Sequence, residues 1–203
     1  MQYIPDMHHR RSIRLKNYDY SCAGLYFITI CTQNRLCLFG EIRNDEIIFN
    51  HAGKMVKKAW DDIPTYYQGF DVHELIVMPN HIHGIIQILS NPDPVGAGPR
   101  ACPFPHISNT TRQPREEGQP RGVAPTRSLP DIVHRFKTLT TKQYADGVAN
   151  YGWPRFNKKL WQRNYFEHII RDERSYFKIS DYIVNNPVTW REDKYYEQQS
   201  VHS

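Results

Sequence analysis

Four side chains in this sequence have types and spacings that metal-assisted chemistry uses. His81 and His83 flank Ile82. On a strand, residues two apart point to the same face, so both imidazoles would project together while Ile82 packs into the core. Two convergent imidazoles start a metal site. Ten histidines in the chain also produce such a pair by chance, and two plain surface or core histidines fit the same spacing. Tyr182 and Asn186 lie four apart. On a helix they share a face, one turn apart. A phenol can act as a nucleophile, and an amide oxygen can ligate a hard cation. An Asn before Pro187 also simply ends a helix, and tyrosine is common here, with 13 copies.

Those side chains need elements to hold them. Residues 24–33 (GLYFITICTQ) are rich in Tyr, Phe, Ile and Thr and read as a strand. A second strand is expected at 36–42, or at 47–49 after the polar turn Arg43-Asn44-Asp45. From Asn50 the period changes. Met55, Val56, Ala59, Trp60 and Ile63 recur at three and four, with Lys54, Lys57, Lys58 and Asp61 between them. That pattern predicts an amphipathic helix capped by Asn50 and stopped near Pro64. Residues 70–78 (FDVHELIVM) and 81–89 (HIHGIIQIL) read as strands joined at the turn signal Pro79-Asn80, an antiparallel hairpin. Ser128, Pro130 and Asp131 suit a helix N-terminus. Ile132, Val133, Phe136 and Leu139 give that helix an apolar face, and Arg135, Lys137 and Lys142 a basic one. A strand is expected at 160–170 and a last helix at 172–186, ended by Pro187. Strands and helices without strict alternation predict an α+β fold, an antiparallel sheet carrying helices.

The 203 residues suit one domain with an insert. Hydrophobic residues at 39% and aromatics at 13% exclude a fully disordered chain. No apolar run approaches the length of a membrane span. Residues 1–14 lack the apolar stretch of a secretory signal, and the four cysteines lack the CxxC spacing of a zinc ribbon. A cytoplasmic location is therefore expected. The expected organisation is a basic arm at 1–20, a single domain made of 21–90 and 128–190, a flexible insert at 91–127 and a tail at 191–203. The insert holds eight of the 14 prolines, four glycines and five arginines, which sets it apart from a packed core. Lys and Arg total 26 against 21 Asp and Glu, a net charge of +5, so a polyanion such as nucleic acid is a plausible partner. Candidate nucleic-acid contacts are Arg10, Arg11, Arg14 and Lys16 in the arm, beside Tyr18 and Tyr20, and Arg135 and Lys137 on the basic helix.

The combination narrows the choice. Pro79-Asn80-His81-Ile82-His83-Gly84 follows an apolar strand; Leu160-Trp161-Gln162-Arg163 and then Asp181-Tyr182-Ile183-Val184-Asn185-Asn186-Pro187 come far downstream. This series resembles the IS200/IS605-like single-tyrosine (Y1) transposases, and within them the REP-associated tyrosine transposases. Arg11-Ser12-Ile13-Arg14-Leu15 and Tyr26-Phe27-Ile28-Thr29-Ile30-Cys31-Thr32 resemble the same family around its first strand. The likeness covers nearly the whole chain apart from the 91–127 insert, which is longer than the family core needs. It implies a ferredoxin-like α+β core of the HUH endonuclease type. His81 and His83 match the HUH motif, with Ile82 as its hydrophobic residue. Tyr182 matches the catalytic tyrosine, and Asn186 the third metal-binding position, where some Y1 branches carry glutamine. Tyr165 and Tyr176 are nearby tyrosines, but only Tyr182 has a metal-capable residue four positions on, before proline; Tyr176 has Ser180 there.

The resemblance further implies a divalent cation, Mg²⁺ or Mn²⁺, at His81, His83 and Asn186, neutralising charge that grows at the phosphorus of a phosphodiester. Imidazole ligands make Mn²⁺ the easier fit. A phenol with a pKa near ~10 is mostly protonated at pH 7, so its ionisation needs help. Attack by Tyr182 on single-stranded DNA beside a hairpin would leave a 5′-phosphotyrosine and a 3′-OH, storing bond energy for rejoining. Two other readings use the same residues. One is a non-catalytic hairpin-DNA-binding protein derived from the fold, the other a replication initiator or relaxase with HUH chemistry. The short chain and the late tyrosine helix favour the transposase. The family includes dimers with shared sites and monomers, which leaves the oligomeric state open.

Overall fold

In a computed structural model of the chain, residue 15 and residues 18–89 and 128–196 are described. Arg10, Arg11, Arg14 and Lys16 of the arm, the 91–127 insert and the last seven residues lie outside them. Strand β1 is Gly24–Cys31, as its run of Tyr, Phe, Ile and Thr predicts. A small hairpin follows, β2 (Gly40–Arg43) and β3 (Glu46–Phe49), turning through Asn44 and Asp45 at positive φ. Helix α1 (His51–Asp61) starts where Asn50 accepts a hydrogen bond from the Gly53 amide. A short α2 (Ile63–Tyr66) takes Pro64 in its first turn.

Strands β4 (Phe70–Val77) and β5 (His81–Ile88) form the expected hairpin. Helix α3 is Leu129–Tyr151, opened by a reciprocal Ser128–Asp131 capping box and closed by Gly152 at φ 68°. Strand β6 is Phe166–Ile170, and α4 is Glu173–Val184 behind an Asp172 cap. The main sheet runs β4-β5-β1-β6, antiparallel throughout. Counting its strands in chain order, this is the 2-3-1-4 arrangement of a ferredoxin-like α+β core, with α1 and α3 as the two crossover helices.

The strand expected over 160–170 begins only at Phe166. The reason is local. Lys137 Nζ donates to the carbonyls of Gln162 and Arg163, at 2.6 and 3.0 Å, and takes them out of any ladder. Trp161 makes only an isolated bridge to Thr32 and donates its indole N–H to Thr140 Oγ1.

Period two sorts the sheet into two faces. Tyr26, Ile28 and Ile30 lie beside Ile86, Gly84 and Ile82 and face α1 and α3 across the main core. Phe27, Thr29 and Cys31 lie beside Ile85, His83 and His81 on the other face, where α4 packs through Ile183 onto Phe27, Ile85 and Ile170. Gly84 keys the layers together. A Cβ there would come within 2.5 Å of the Trp60 ring, so only glycine lets α1 lie this close behind the histidine strand.

Candidate active site

The two histidines sit on a central strand with their neighbours paired on both sides, and both are buried. Ile82 between them enters the core, as the alternation predicts. Each imidazole has one nitrogen engaged away from the other. His81 Nδ1 lies 2.8 Å from Asn80 Oδ1. The Asn80 amide has a fixed orientation, because its Nδ2 donates to the carbonyls of Arg35 and Tyr195. Its oxygen only accepts, so His81 carries its proton on Nδ1 and turns a lone pair outward at Nε2. His83 Nδ1 lies 2.7 Å from Thr29 Oγ1, across β1 and β5. The two Nε2 atoms meet at 3.0 Å. Burial drives the His81 imidazole down to about 4, against the opposing pull of Asp193. Burial, then His81 and Lys194, hold His83 well below the usual range. Both rings are therefore neutral donors at pH 7.

Helix α4 brings Tyr182 and Asn186 to the same place. The Tyr182 hydroxyl lies 3.3 Å from His83 Nε2, and its ring meets Phe27 edge to face at 6.2 Å. Phe27 in turn stacks on His83 at 5.4 Å. Tyr182 remains 42% exposed, which leaves a path for a large substrate. Desolvation, followed by the nearby carboxylate of Asp193, pushes its phenol up to about 12. Asn186 is fully buried just past the helix end. Its Nδ2 donates to Asp193 Oδ2 at 3.1 Å, which fixes the amide and directs Oδ1 away from that carboxylate. The amide faces His81 and Tyr182, yet Oδ1 has no hydrogen-bond partner. A buried carbonyl oxygen without a partner is costly unless something electropositive sits against it.

Residues 190–195 close the third side. Trp190 and Tyr195 pack on His81 at 5.8 and 4.7 Å. Asp193 accepts from the Tyr195 amide and from Asn186. His81, His83 and Asp193 each place a donor atom within 4.8 Å of the others. Two neutral imidazoles, a carboxylate and an orphaned amide oxygen form a mixed nitrogen and oxygen donor set that suits a divalent cation. Over them opens a cleft of about 470 Å³, walled by Phe27, Thr29, His83, Tyr182, Asp193 and Lys194.

The structure thus gathers His81, His83, Tyr182 and Asn186, all singled out in the sequence. It does not bring Arg135 or Lys137 to them. Arg135 lies on α3, behind the opposite face of the sheet, with its guanidinium over the Tyr67 ring at 5.7 Å. Lys137 spends its ammonium on two carbonyls. Asn80, Thr29, Asp193 and Tyr195 escaped the sequence reading. Asn80 stood in plain view beside the histidines; Asp193 carried no spacing signal, since a loop and not a helix or strand delivers it.

No family model matches the chain. An uncharacterised protein of Haemophilus influenzae is 41% identical over 198 residues, 96% of this chain and 97% of the relative. A second protein of that organism, named "Putative REP-associated tyrosine transposase", is 26% identical over 176 residues, 86% of this chain and 77% of its own. Among solved structures, that of a REP-associated tyrosine transposase bound to a REP hairpin superimposes with a TM-score of 0.52 at 18% identity, over 90% of this chain and 77% of that one. The chain shares its antiparallel α+β fold with that structure, and its likeness to the protein named a REP-associated tyrosine transposase runs through 86% of this chain.

Proposed function

We propose that the protein is a metal-dependent nuclease and strand transferase for single-stranded DNA, with Tyr182 as its nucleophile. The observation that carries this reading is the Tyr182 hydroxyl, 3.3 Å from His83 Nε2 at the mouth of a buried donor set. The donors fit a divalent cation, Mg²⁺ or Mn²⁺, held by His81, His83, Asn186 and Asp193. Such an ion would supply Lewis-acid neutralisation of the charge that grows on a phosphodiester under attack. The residues do the rest. Asn80 and Thr29 hold the two imidazoles with their Nε2 atoms inward. Phe27 and His83 fix the phenol ring beside the donors. Tyr182 gives up its proton and forms a bond from Oη to phosphorus. The bond from phosphorus to the 3′-oxygen breaks, and that oxygen leaves as a 3′-OH. The 5′-phosphotyrosine keeps the bond energy, so a 3′-OH can reverse the step and join strands.

The solved relative is bound to a REP hairpin, and a hairpin-bearing single strand is the substrate proposed for this chain. The test mixes purified protein with a labelled single-stranded hairpin library and Mn²⁺ or Mg²⁺, followed by denaturing electrophoresis and mass mapping. A covalent adduct on Tyr182 is expected, lost with EDTA and in Tyr182→Phe. An adduct undiminished in Tyr182→Phe sinks the assignment of the nucleophile. Hairpin binding without an adduct under either metal makes the protein a DNA binder and not an enzyme.

A further inference from the structure

We infer that the cleft beside Tyr182 contains a nucleotide subsite in which Lys194 holds a phosphate and Phe166 carries the adjoining base. Its place next to a scissile bond rests on the proposed function; the subsite itself does not.

Among the described residues, Lys194 is the one lysine or arginine that lines the cleft. It is exposed, and its ammonium makes no ion pair or hydrogen bond among the described residues. What it does touch is aromatic: the Tyr195 ring at 4.8 Å and the Phe166 ring at 5.6 Å from their centroids. The backbone beneath it is pinned. The Lys194 carbonyl accepts from Arg35 at 3.0 Å, and the Tyr195 carbonyl from the buried Asn80 at 2.8 Å. A free surface lysine sweeps a wide volume, whereas this one starts from a fixed point and leans over rings.

Phe166 is the second half. It opens β6, an edge strand of the main sheet, and is 47% exposed. Its ring meets Phe27 edge to face at 6.3 Å, and Phe27 stacks on His83. An aromatic path therefore runs from the donor set out to an open ring. A nucleotide offers an anion next to a flat apolar ring; this wall offers a cation next to a flat apolar ring. Two carboxylates share the cleft, and Lys194 offsets them. Asp193 is engaged by Asn186 and by the Tyr195 amide, while Glu192 is exposed. Stacking on an open aromatic is indifferent to base identity, so the subsite fits any unpaired nucleotide and excludes one locked in a duplex.

The experiment measures binding in EDTA, in a Tyr182→Phe background, by anisotropy of a fluorescein-labelled mixed-sequence strand of about 20 nucleotides, a length that exceeds the ~4–16-nucleotide footprint of a single-strand-binding domain. One lost phosphate contact on a single strand flattens the slope of log K against log salt by about 0.7. Lys194→Met is expected to show that change and Lys194→Arg to restore the slope. Phe166→Ala is expected to weaken binding about tenfold at an unchanged slope, with Phe166→Trp recovering it. A 2-aminopurine placed within the strand should lose fluorescence on binding, and regain it in Phe166→Ala. An unchanged slope in Lys194→Met, parental affinity in Phe166→Ala, or no binding by the parent overturns the subsite. The adduct assay is separate. If Tyr182 forms no adduct while the slope still changes, the catalytic reading falls and the subsite stands. If adducts form while the slope stays fixed, the reverse holds.

Discussion

Asn80 decides which nitrogen of His81 faces the cleft. Its amide is locked by two backbone carbonyls, its oxygen can only accept, and the imidazole has to answer with Nδ1–H. Ala at this position removes the lock, frees the ring to rotate and unties the loop that carries Asp193. Asn80→Ala is expected to weaken Mn²⁺ binding about 10- to 100-fold by calorimetry, with His81 and His83 still present. An affinity equal to the parent's would mean the ring is held by packing alone. Lys137 gives a second expectation. Burial lowers its ammonium to about 8 in the fold, below the ordinary lysine value. Between about pH 8 and the ordinary lysine pKa of ~10.4 the unfolded chain holds more protons than the folded one, so this residue adds stability as pH rises through that window. Comparing chemical denaturation of the parent and Lys137→Met at about pH 7.5, below that window, and at about pH 9.5, inside it, should show the difference moving toward the parent at the higher pH.

At the scale of elements, α4 is held more lightly than its cargo suggests. Ile183 is its only fully buried residue, backed by half-buried Tyr176 and Ile179. Near its start, Tyr176 donates to Glu74 and lies 3.2 Å from His73 Nδ1, tying the helix to β4. Ile183→Ala leaves a cavity next to Tyr182 and is expected to cost about 2–4 kcal/mol. At ~2–4 °C per kcal/mol for a chain of this size, that lowers the melting temperature by roughly 5–15 °C; a shift near zero by circular dichroism would show that the helix is held elsewhere. The elements themselves were largely legible. Polar caps at Asn50 and Ser128, and the aromatic and β-branched apolar runs of β1, β4 and β5, left distinct marks in the sequence. The 160–170 segment was misread because its apolar residues have strand character, while the lysine that claims its carbonyls lies on another element. Propensity is local, and that competition is not. The loop at 190–195 left no mark for the same reason: its aromatic and acidic residues acquire meaning only against Asn80, His81 and Asn186.

For the molecule as a whole, the sheet separates two tasks. One face buries the main core against α1 and α3; the other carries the donors and holds α4 with a small apolar cluster. A cation that binds the folded donor set and not the unfolded chain stabilises the fold by mass action. At 100 times its dissociation constant, Mn²⁺ is expected to add about 2.7 kcal/mol, seen as a rise in melting temperature that EDTA reverses. His81→Ala with His83→Ala should abolish that rise. No described helix is long and apolar enough to cross a membrane.

The site is stitched from distant parts of the chain. Thr29 reaches His83 across 54 residues, His83 meets Tyr182 across 99, and Asn80 ties down Tyr195 across 115. Closing such spans costs entropy that only the finished fold repays. A fragment that lacks one of these segments cannot hold Tyr182 and the donors together. On the proposed function, activity toward phosphodiester bonds is therefore silent until folding is complete, and falls silent again as soon as any one of these spans lets go.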